Sequence, residues 1–305
     1  MSAPARDGGP HRRARLDRLA FTVLTVLCLC WGLNQVAIKV ANAGIPPVFQ
    51  ALLRSAGAAV LIATWARLRG VTLLPRDGTI LPGMLCGLLF GLEFVALYWG
   101  LDHTTAARGV VFFYTMPFFV ALGAAIWLPY ERLAASQLVG LAGAFAGMAF
   151  GVADSMGAPE PGALGGDLLC VLAAALWAAT TLVIKTTALV RAPAERLLFY
   201  QLAFSVPVLA AAAPLFGPLR ILDPAPLVLG ALAFQIVVVV GITYLTWFWL
   251  IRIYPAAPLA SFTFLTPLFG VGAGALLLAE PVTPALALAL ALVAGGIYLV
   301  NRPPR

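Results

Sequence analysis

Residues 31–47, WGLNQVAIKVANAGIPP, are answered by residues 177–193, WAATTLVIKTTALVRAP. The pattern Trp31-x7-Lys39-x7-Pro47 recurs as Trp177-x7-Lys185-x7-Pro193. Further on, Tyr98-Trp99, Ala106-Ala107 and Thr115-Met116-Pro117 line up in the same order with Phe248-Trp249, Ala256-Ala257 and Leu265-Thr266-Pro267. Glu131 and Glu280 correspond beyond them. The chain therefore carries one design twice, and in a chain this apolar a duplicated design points to a duplicated membrane unit.

Hydrophobic residues make up 62% of the 305, and charged residues 10%. A soluble domain would carry about a quarter charged residues, so this chain cannot cover a surface facing water. Its apolar runs are continuous rather than alternating, which excludes a β-barrel and predicts an all-α integral membrane protein. The run from about Leu19 to Val40 exceeds the roughly 7–15 residues of a cleavable signal and reads as a retained first span.

Ten spans are expected, at 20–42, 47–67, 80–101, 104–127, 134–153, 164–188, 193–216, 225–251, 254–279 and 282–301. Each approaches the roughly 20 residues needed to cross about 30 Å of hydrocarbon. Ten divides into five and five, and an odd-numbered repeat re-enters the membrane from the opposite side. The expected architecture is two inverted five-helix repeats, 20–153 and 164–301. They are flanked by a basic segment at 1–19, a linker at 154–163 and a tail at 302–305.

The formal net charge of +7 sits mostly in connections and termini, where it sets orientation and is no nucleic-acid footprint. Arg6, Arg12, Arg13, Arg15 and Arg18 precede the first span. Arg67, Arg69, Arg76, Arg132, Arg191, Arg196 and Arg252 follow even spans, and Arg302 and Arg305 end the chain. The odd connections offer Arg220, so both termini are expected in the cytoplasm and the linker at 154–163 outside.

Ionisable groups within spans need a reason. Glu93 and Arg54 lie at similar depth in the third and second spans. They either form a structural pair, or Glu93 serves as a site for a proton or a substrate ammonium. Lys39 and Lys185 lie near opposite faces. They either snorkel to the headgroups or act as cations at the two entrances. Trp31, Asn34, Gln35 and Lys39 share one helical face, and Trp177, Thr180, Thr181 and Lys185 repeat it. A polar face has no partner in lipid, so it is expected on a wet cavity, with Tyr114, Tyr244 and Trp247 beside it and Thr243 near them. Pro117 and Pro267, mid-span at matched positions, bend their helices either as plain kinks or as paired gates. Gly83-x3-Gly87-x3-Gly91 and Gly143-x3-Gly147-x3-Gly151 allow close helix approach, within the chain or at a dimer seam.

His11 and His103 are the two histidines, and neither belongs to a metal or catalytic arrangement; no cofactor or metal is called for. Cys28, Cys30, Cys86 and Cys170 fall inside apolar runs with no ligand or disulfide spacing. Phosphate-binding loops and nucleophile elbows are absent, so the chain does not read as an enzyme or an ATP-driven pump.

Trp31 to Pro47 and Ala106 to Pro117 followed by Glu131, with their second-half counterparts and the Gly-rich ends Gly140 to Gly151 and Gly295-Gly296, resemble the drug/metabolite transporter superfamily in its ten-span EamA-type branch. The resemblance covers nearly the whole chain, and within the branch it is greatest to the YddG-type aromatic amino acid exporters. It implies a basket around a central cavity lined by spans 1, 3, 4, 6, 8 and 9, with spans 5 and 10 peripheral. It also implies export of small metabolites from a bacterial inner membrane. Amino acids, aromatic ones included, are the expected substrates, stacked on Trp31, Trp177, Tyr114 and Tyr244 and hydrogen-bonded by Asn34, Gln35, Thr180 and Thr181. So few charges within the spans suggest a passive facilitator or weak coupling through Glu93. An exchanger of sugar phosphates or nucleotide-sugars is the alternative, for which Lys39, Lys185, Arg54 and Arg108 would be the cations. A receptor or scaffold that moves nothing is the alternative of another class. The expected partners are the lipid bilayer and a small-molecule substrate, with the chain a monomer or weak homo-oligomer.

Overall fold

The computed structural model describes residues 15–101, 103–104, 106–151, 153, 163–278 and 284–302, and every regular element among them is helical. Helices α1 (Arg18–Asn42), α2 (Pro47–Leu68) and α3 (Ile80–Leu101) are continuous. The fourth expected span is broken into α4 (Ala106–Phe113) and α5 (Met116–Trp127). After α6 (Ala135–Gly151), α7 (Ala163–Thr186) and α8 (Ala194–Ala212), the eighth changes character along its length. It runs as α9 (Pro226–Phe234), a π-helical stretch at Gln235–Tyr244, and α10 (Leu245–Ile253). The ninth is α11 (Ala256–Ser261), a 3-10 turn at Phe262–Phe264 and α12 (Leu265–Leu278), and α13 (Pro284–Asn301) follows.

Among the described residues, six helices are long and apolar enough to cross a membrane: Arg18–Asn42, Pro47–Leu68, Ile80–Leu101, Ala163–Thr186, Ala194–Phe216 and Pro226–Ile253. Val111–Trp127, Ala135–Phe150, Ala256–Gly270 and Leu288–Asn301 are shorter apolar helices. Glu280, the expected linker and the first 14 residues lie outside the described residues.

Local chemistry fixes the helix ends. The Asp17 carboxylate accepts from the Ala20 N–H at 2.9 Å, filling a vacant donor in the first turn of α1. Pro47 opens α2, where its missing N–H costs nothing. Gly70, at φ 68°, ends α2, so that the Val71 N–H reaches the Ala66 carbonyl at 2.8 Å and the Gly70 N–H reaches Arg67 at 3.1 Å. The connection after it is tied to α8. Arg196 Nη1 donates to Asp77 Oδ2 at 2.6 Å, and Arg196 Nε donates to the Thr72 carbonyl at 2.9 Å. The Thr79 hydroxyl bonded to Asp77, with Arg196 beside it, holds that exposed carboxyl below its ordinary value. Stability from this corner is therefore present above the ordinary carboxylate range and lost as pH falls through the lowered value.

Where bends are expected at the prolines, the regular α-helix is interrupted just before each, by a turn ahead of Met116 and by the 3-10 turn ahead of Leu265. Pro117 lies in the first turn of α5 and Pro267 in that of α12, so each proline starts a new segment. Carbonyls released at the breaks are taken up locally. The Thr115 hydroxyl donates to Phe112 at 2.6 Å, Thr263 to Ala260 at 2.7 Å and Ser261 to Pro258 at 2.7 Å. The Phe262 carbonyl accepts the Cys28 thiol at 3.2 Å.

Glycines set which helices touch. Side chains built on Gly83, Gly87 and Gly91 would strike Tyr200, Phe204 and Val208 in that order, so α3 and α8 run in the same direction at close range. The second glycine series is used differently. Gly140 and Gly147 face α13, at Leu299 and Leu292 respectively, so α6 and α13 run in opposite directions, while Gly143 faces open space. α6 and α13 pack chiefly on each other at one edge of the bundle.

Gly87→Ala would place a methyl 2.3 Å from the Phe204 Cβ and 2.9 Å from backbone atoms, which cannot yield. We expect it to lower the unfolding temperature in detergent, with a cost of about 1–3 kcal/mol. Gly143→Ala, with nothing within 4 Å, should leave it unchanged or gain up to about 1 kcal/mol.

Candidate functional site

The polar face of α1 and its counterpart on α7 meet across one cavity of about 160 Å³. A cavity of about 150 Å³ accepts a benzene-sized guest, so this one has room for a small metabolite. Of the expected residues, Trp31, Asn34, Arg54, Glu93, Tyr114, Trp177, Thr180, Thr181, Tyr244 and Trp247 all line it. Gln35 and Lys39 lie on α1, but their side chains, like that of Arg108, are outside the described residues.

Two aromatic groups face one another. Trp31 meets Trp247 edge-on at 5.4 Å and Tyr244 at 6.0 Å. Trp177 stacks on Phe113 at 5.1 Å, with an interplanar angle of 20°, and meets Tyr114 at 6.1 Å. The polar tip of Trp31 is spent inside the protein, because its Nε1–H donates to Thr243 Oγ1 at 2.8 Å, and Thr243 donates in turn to the Val239 carbonyl. What remains for a ligand is ring surface. Thr243 and Tyr244 end the π-helical stretch, whose wider turn is a frequent feature of functional sites.

The polar wall is less completely satisfied. Thr180 and Thr181 donate back to Leu176 at 3.1 Å and Trp177 at 3.4 Å, so their oxygens can only accept from a ligand. Asn34 Oδ1, Gln201 Oε1, Glu93 Oε2 and Arg54 Nε and Nη2 are buried without a hydrogen-bond partner. The structural pair expected of Arg54 and Glu93 is not formed: no nitrogen of Arg54 lies within ion-pair distance of a Glu93 oxygen. Arg54 instead lies over the Phe94 ring, its Cζ 4.2 Å from the centroid.

Lys185 does not line the cavity and is turned into the protein. Its side chain is 2% exposed, and Nζ meets Glu131 Oε1 at 3.0 Å and the Tyr254 carbonyl. The second oxygen of Glu131 accepts the Ala256 N–H at 2.7 Å, and the Tyr254 hydroxyl donates to Asp17 Oδ2 at 3.0 Å. The end of α7 and the starts of α1, α6 and α11 are thus tied together. Tyr254, Phe262 and Phe264 are large side chains buried fully toward this end of the bundle. The cavity extends the other way, to Leu101 at the end of α3 and Gly109 in α4.

The lining differs from expectation at two places. Among the described residues none comes from α11 or α12, because the 3-10 turn there is buried against α1 at the filled end. α2 and α8 contribute instead, through Arg54 and Gln201. Gln201 was legible as an amide inside an apolar run; Phe90, Phe94 and Phe113 carry no signal that distinguishes them from other apolar positions.

The chain is 29% identical over 286 residues to YvbV, an uncharacterized transporter of Bacillus subtilis, covering 92% of this chain and 90% of that one. It is 25% identical over 272 residues to YoaV, an uncharacterized transporter of the same organism, covering 89% and 92%. Protein PagO of Salmonella typhimurium matches over 128 residues at 27% identity, covering 41% of this chain and 42% of its own. A protein of known crystal structure superposes with a TM-score of 0.76 at 23% identity, over 92% of this chain and 97% of that one, a likeness of fold alone. The model of the EamA-like transporter family matches residues 19–152 and again 164–302. By that double match over most of its length, the chain belongs to the EamA-like transporter family and is a membrane transporter.

Proposed function

We propose that this transporter exports small amphipathic metabolites, amino acids with apolar or aromatic side chains among them, across a bacterial inner membrane by alternating access. The observation that carries the reading is the cavity itself. Two aromatic groups, each centred on a tryptophan of one half and completed by rings of the other, enclose a space whose remaining wall is polar and unsatisfied. Such a space suits a ligand with an apolar body and a polar end. Exchange of sugar phosphates would need several cations converging there, and Arg54 is the single one among the described lining residues.

The proposed topology has ten spans, five in each of two inverted halves at 20–153 and 164–301, with both termini cytoplasmic. The common direction of α3 and α8 and the opposed directions of α6 and α13 support it. The end sealed by Lys185, Glu131, Tyr254 and Asp17 is then cytoplasmic, and the cavity reaches toward the outside. This is a state from which cargo leaves outward. Loading requires the sealed end to part and the outer end to close, with the breaks before Pro117 and Pro267 as the bends about which half-spans tilt.

In liposomes, the purified protein should take up labelled phenylalanine and tryptophan saturably, tested against threonine and a sugar phosphate with and without a pH gradient. Trp31→Ala or Trp177→Ala should raise KM for the aromatic substrates by about tenfold, one lost stacking contact of about 1.5 kcal/mol. Uptake of the sugar phosphate alone would refute the amino-acid reading.

The seal makes a separate prediction. Removing both charges with E131Q/K185Q avoids stranding one of them. In a cysteine-free background carrying Ala257→Cys, a position now fully buried beside the seal, this pair should label with a permeant maleimide about tenfold faster. Unchanged labelling would mean that the seal does not hold that end shut.

A further inference from the structure

Arg54 and Glu93 are the two charged side chains among the described residues that line the cavity, and both are almost wholly withdrawn from solvent, at 1% and 4% exposure. A buried ion pair normally closes on itself, because neither charge is stable in a low dielectric without a partner. Here it does not. Arg54 keeps two N–H groups without an acceptor, and Glu93 keeps an oxygen without a donor. Arg54 rests on the ring of Phe94, the residue next to Glu93 in sequence, so both side chains address the same stretch of cavity wall.

We infer that Arg54 and Glu93 form a split clamp for a zwitterion, Arg54 taking the carboxylate and Glu93 the ammonium of an α-amino acid. The inference rests on the transport reading above and gives its site a charge rule. A guanidinium offers paired N–H donors in the fork that matches a carboxylate. An ammonium carries three donors and no acceptor, which suits a carboxylate supported by other acceptors. Asn34 Oδ1 and Gln201 Oε1 on the same wall are acceptors without a donor. Purely anionic cargo would satisfy Arg54 and leave Glu93 stranded, and purely cationic cargo would do the reverse. A molecule carrying both charges on one carbon satisfies both at once, while its side chain takes the aromatic surface of Trp31, Tyr244 and Trp177. The unmade ion pair is thus the recognition element, and neutral net charge is the selected property.

The test is binding to the full-length protein in detergent, read by ligand-induced thermal shift over a concentration series. The probes are L-phenylalanine, 3-phenylpropionate, which lacks the ammonium, and phenethylamine, which lacks the carboxylate. On the unaltered protein each analogue should bind about tenfold to a hundredfold more weakly than phenylalanine, the effect of losing a hydrogen-bonded charge. Arg54→Gln should reverse the order of phenylalanine and phenethylamine. Glu93→Gln should reverse that of phenylalanine and 3-phenylpropionate. Equal binding of all three probes, or no binding of phenylalanine, overturns the clamp. So do folded variants that weaken all three alike. The analogue series on the unaltered protein decides the matter if a variant fails to fold. Uptake of the amino acids with analogue-indifferent binding would sink the clamp and leave the transport reading standing. The expected binding order without uptake would keep the clamp and sink the transport reading.

Discussion

A peptide group inside a bilayer has no water to turn to, so its N–H and C=O must find partners within the protein. That constraint makes helices of the long apolar runs, and it also governs where the helices are allowed to fail. The breaks between α4 and α5 and between α11 and α12 each release carbonyls, and hydroxyls one turn away collect them, from Thr115 in one and from Ser261 and Thr263 in the other. The turn at Phe262–Phe264 is buried in protein, and the break at Thr115 is half-buried between the buried Tyr114 and Met116. The π-helical stretch obeys the same rule. It keeps its backbone paired while widening the turn that brings Thr243 against Trp31.

Charges follow a parallel logic with two outcomes. Lys185 and Glu131 are drawn into the protein and closed into a network with a backbone N–H, a carbonyl, a tyrosine and the cap of α1. Every group in it has a partner, so it ties four segments together without a stranded charge. Arg54 and Glu93 have the same chemistry at similar burial and are left open. The difference lies in what surrounds them. The first pair is closed by the Tyr254 carbonyl and the Ala256 N–H, whereas the second faces a space that a molecule can enter.

Much of this was legible in the sequence because a membrane penalises misplaced groups so heavily. A tryptophan and polar residues at i+3 and i+4 in an apolar run have nowhere to go but inward, and Trp31, Asn34, Trp177, Thr180 and Thr181 all reach one cavity. Pro117 and Pro267 announced the breaks for a backbone reason alone. What stayed hidden depends on partners distant in the chain. Nothing local tells that Lys185 meets Glu131, or that Arg54 faces Glu93 without touching it, since each follows from how α2, α3, α5 and α7 are assembled. The π-helical stretch left no mark, for its residues are as apolar as those of any span. Gly140 and Gly147, rather than Gly143, carry the contact with α13, because the facing helix decides which small residues are used.

The polar atoms left without partners support the proposed binding site more sharply than the aromatic residues do. Aromatic rings pack throughout this protein, as Phe118, Phe145 and Phe264 do far from any lining. Unpartnered buried polar atoms are costly, so a native chain keeps few of them. Among the described residues, five of the nine such atoms belong to Asn34, Arg54, Glu93 and Gln201, all on the wall of one cavity. Random imperfection of packing would scatter them among the helices. Their concentration in one place means that, among the described residues, the largest such deficit lies on that wall. A ligand able to donate to the oxygens and accept from the guanidinium removes that deficit on binding. Binding strength at such a site comes from completing the protein's own hydrogen bonding, and selectivity comes from how few molecules can complete all of it.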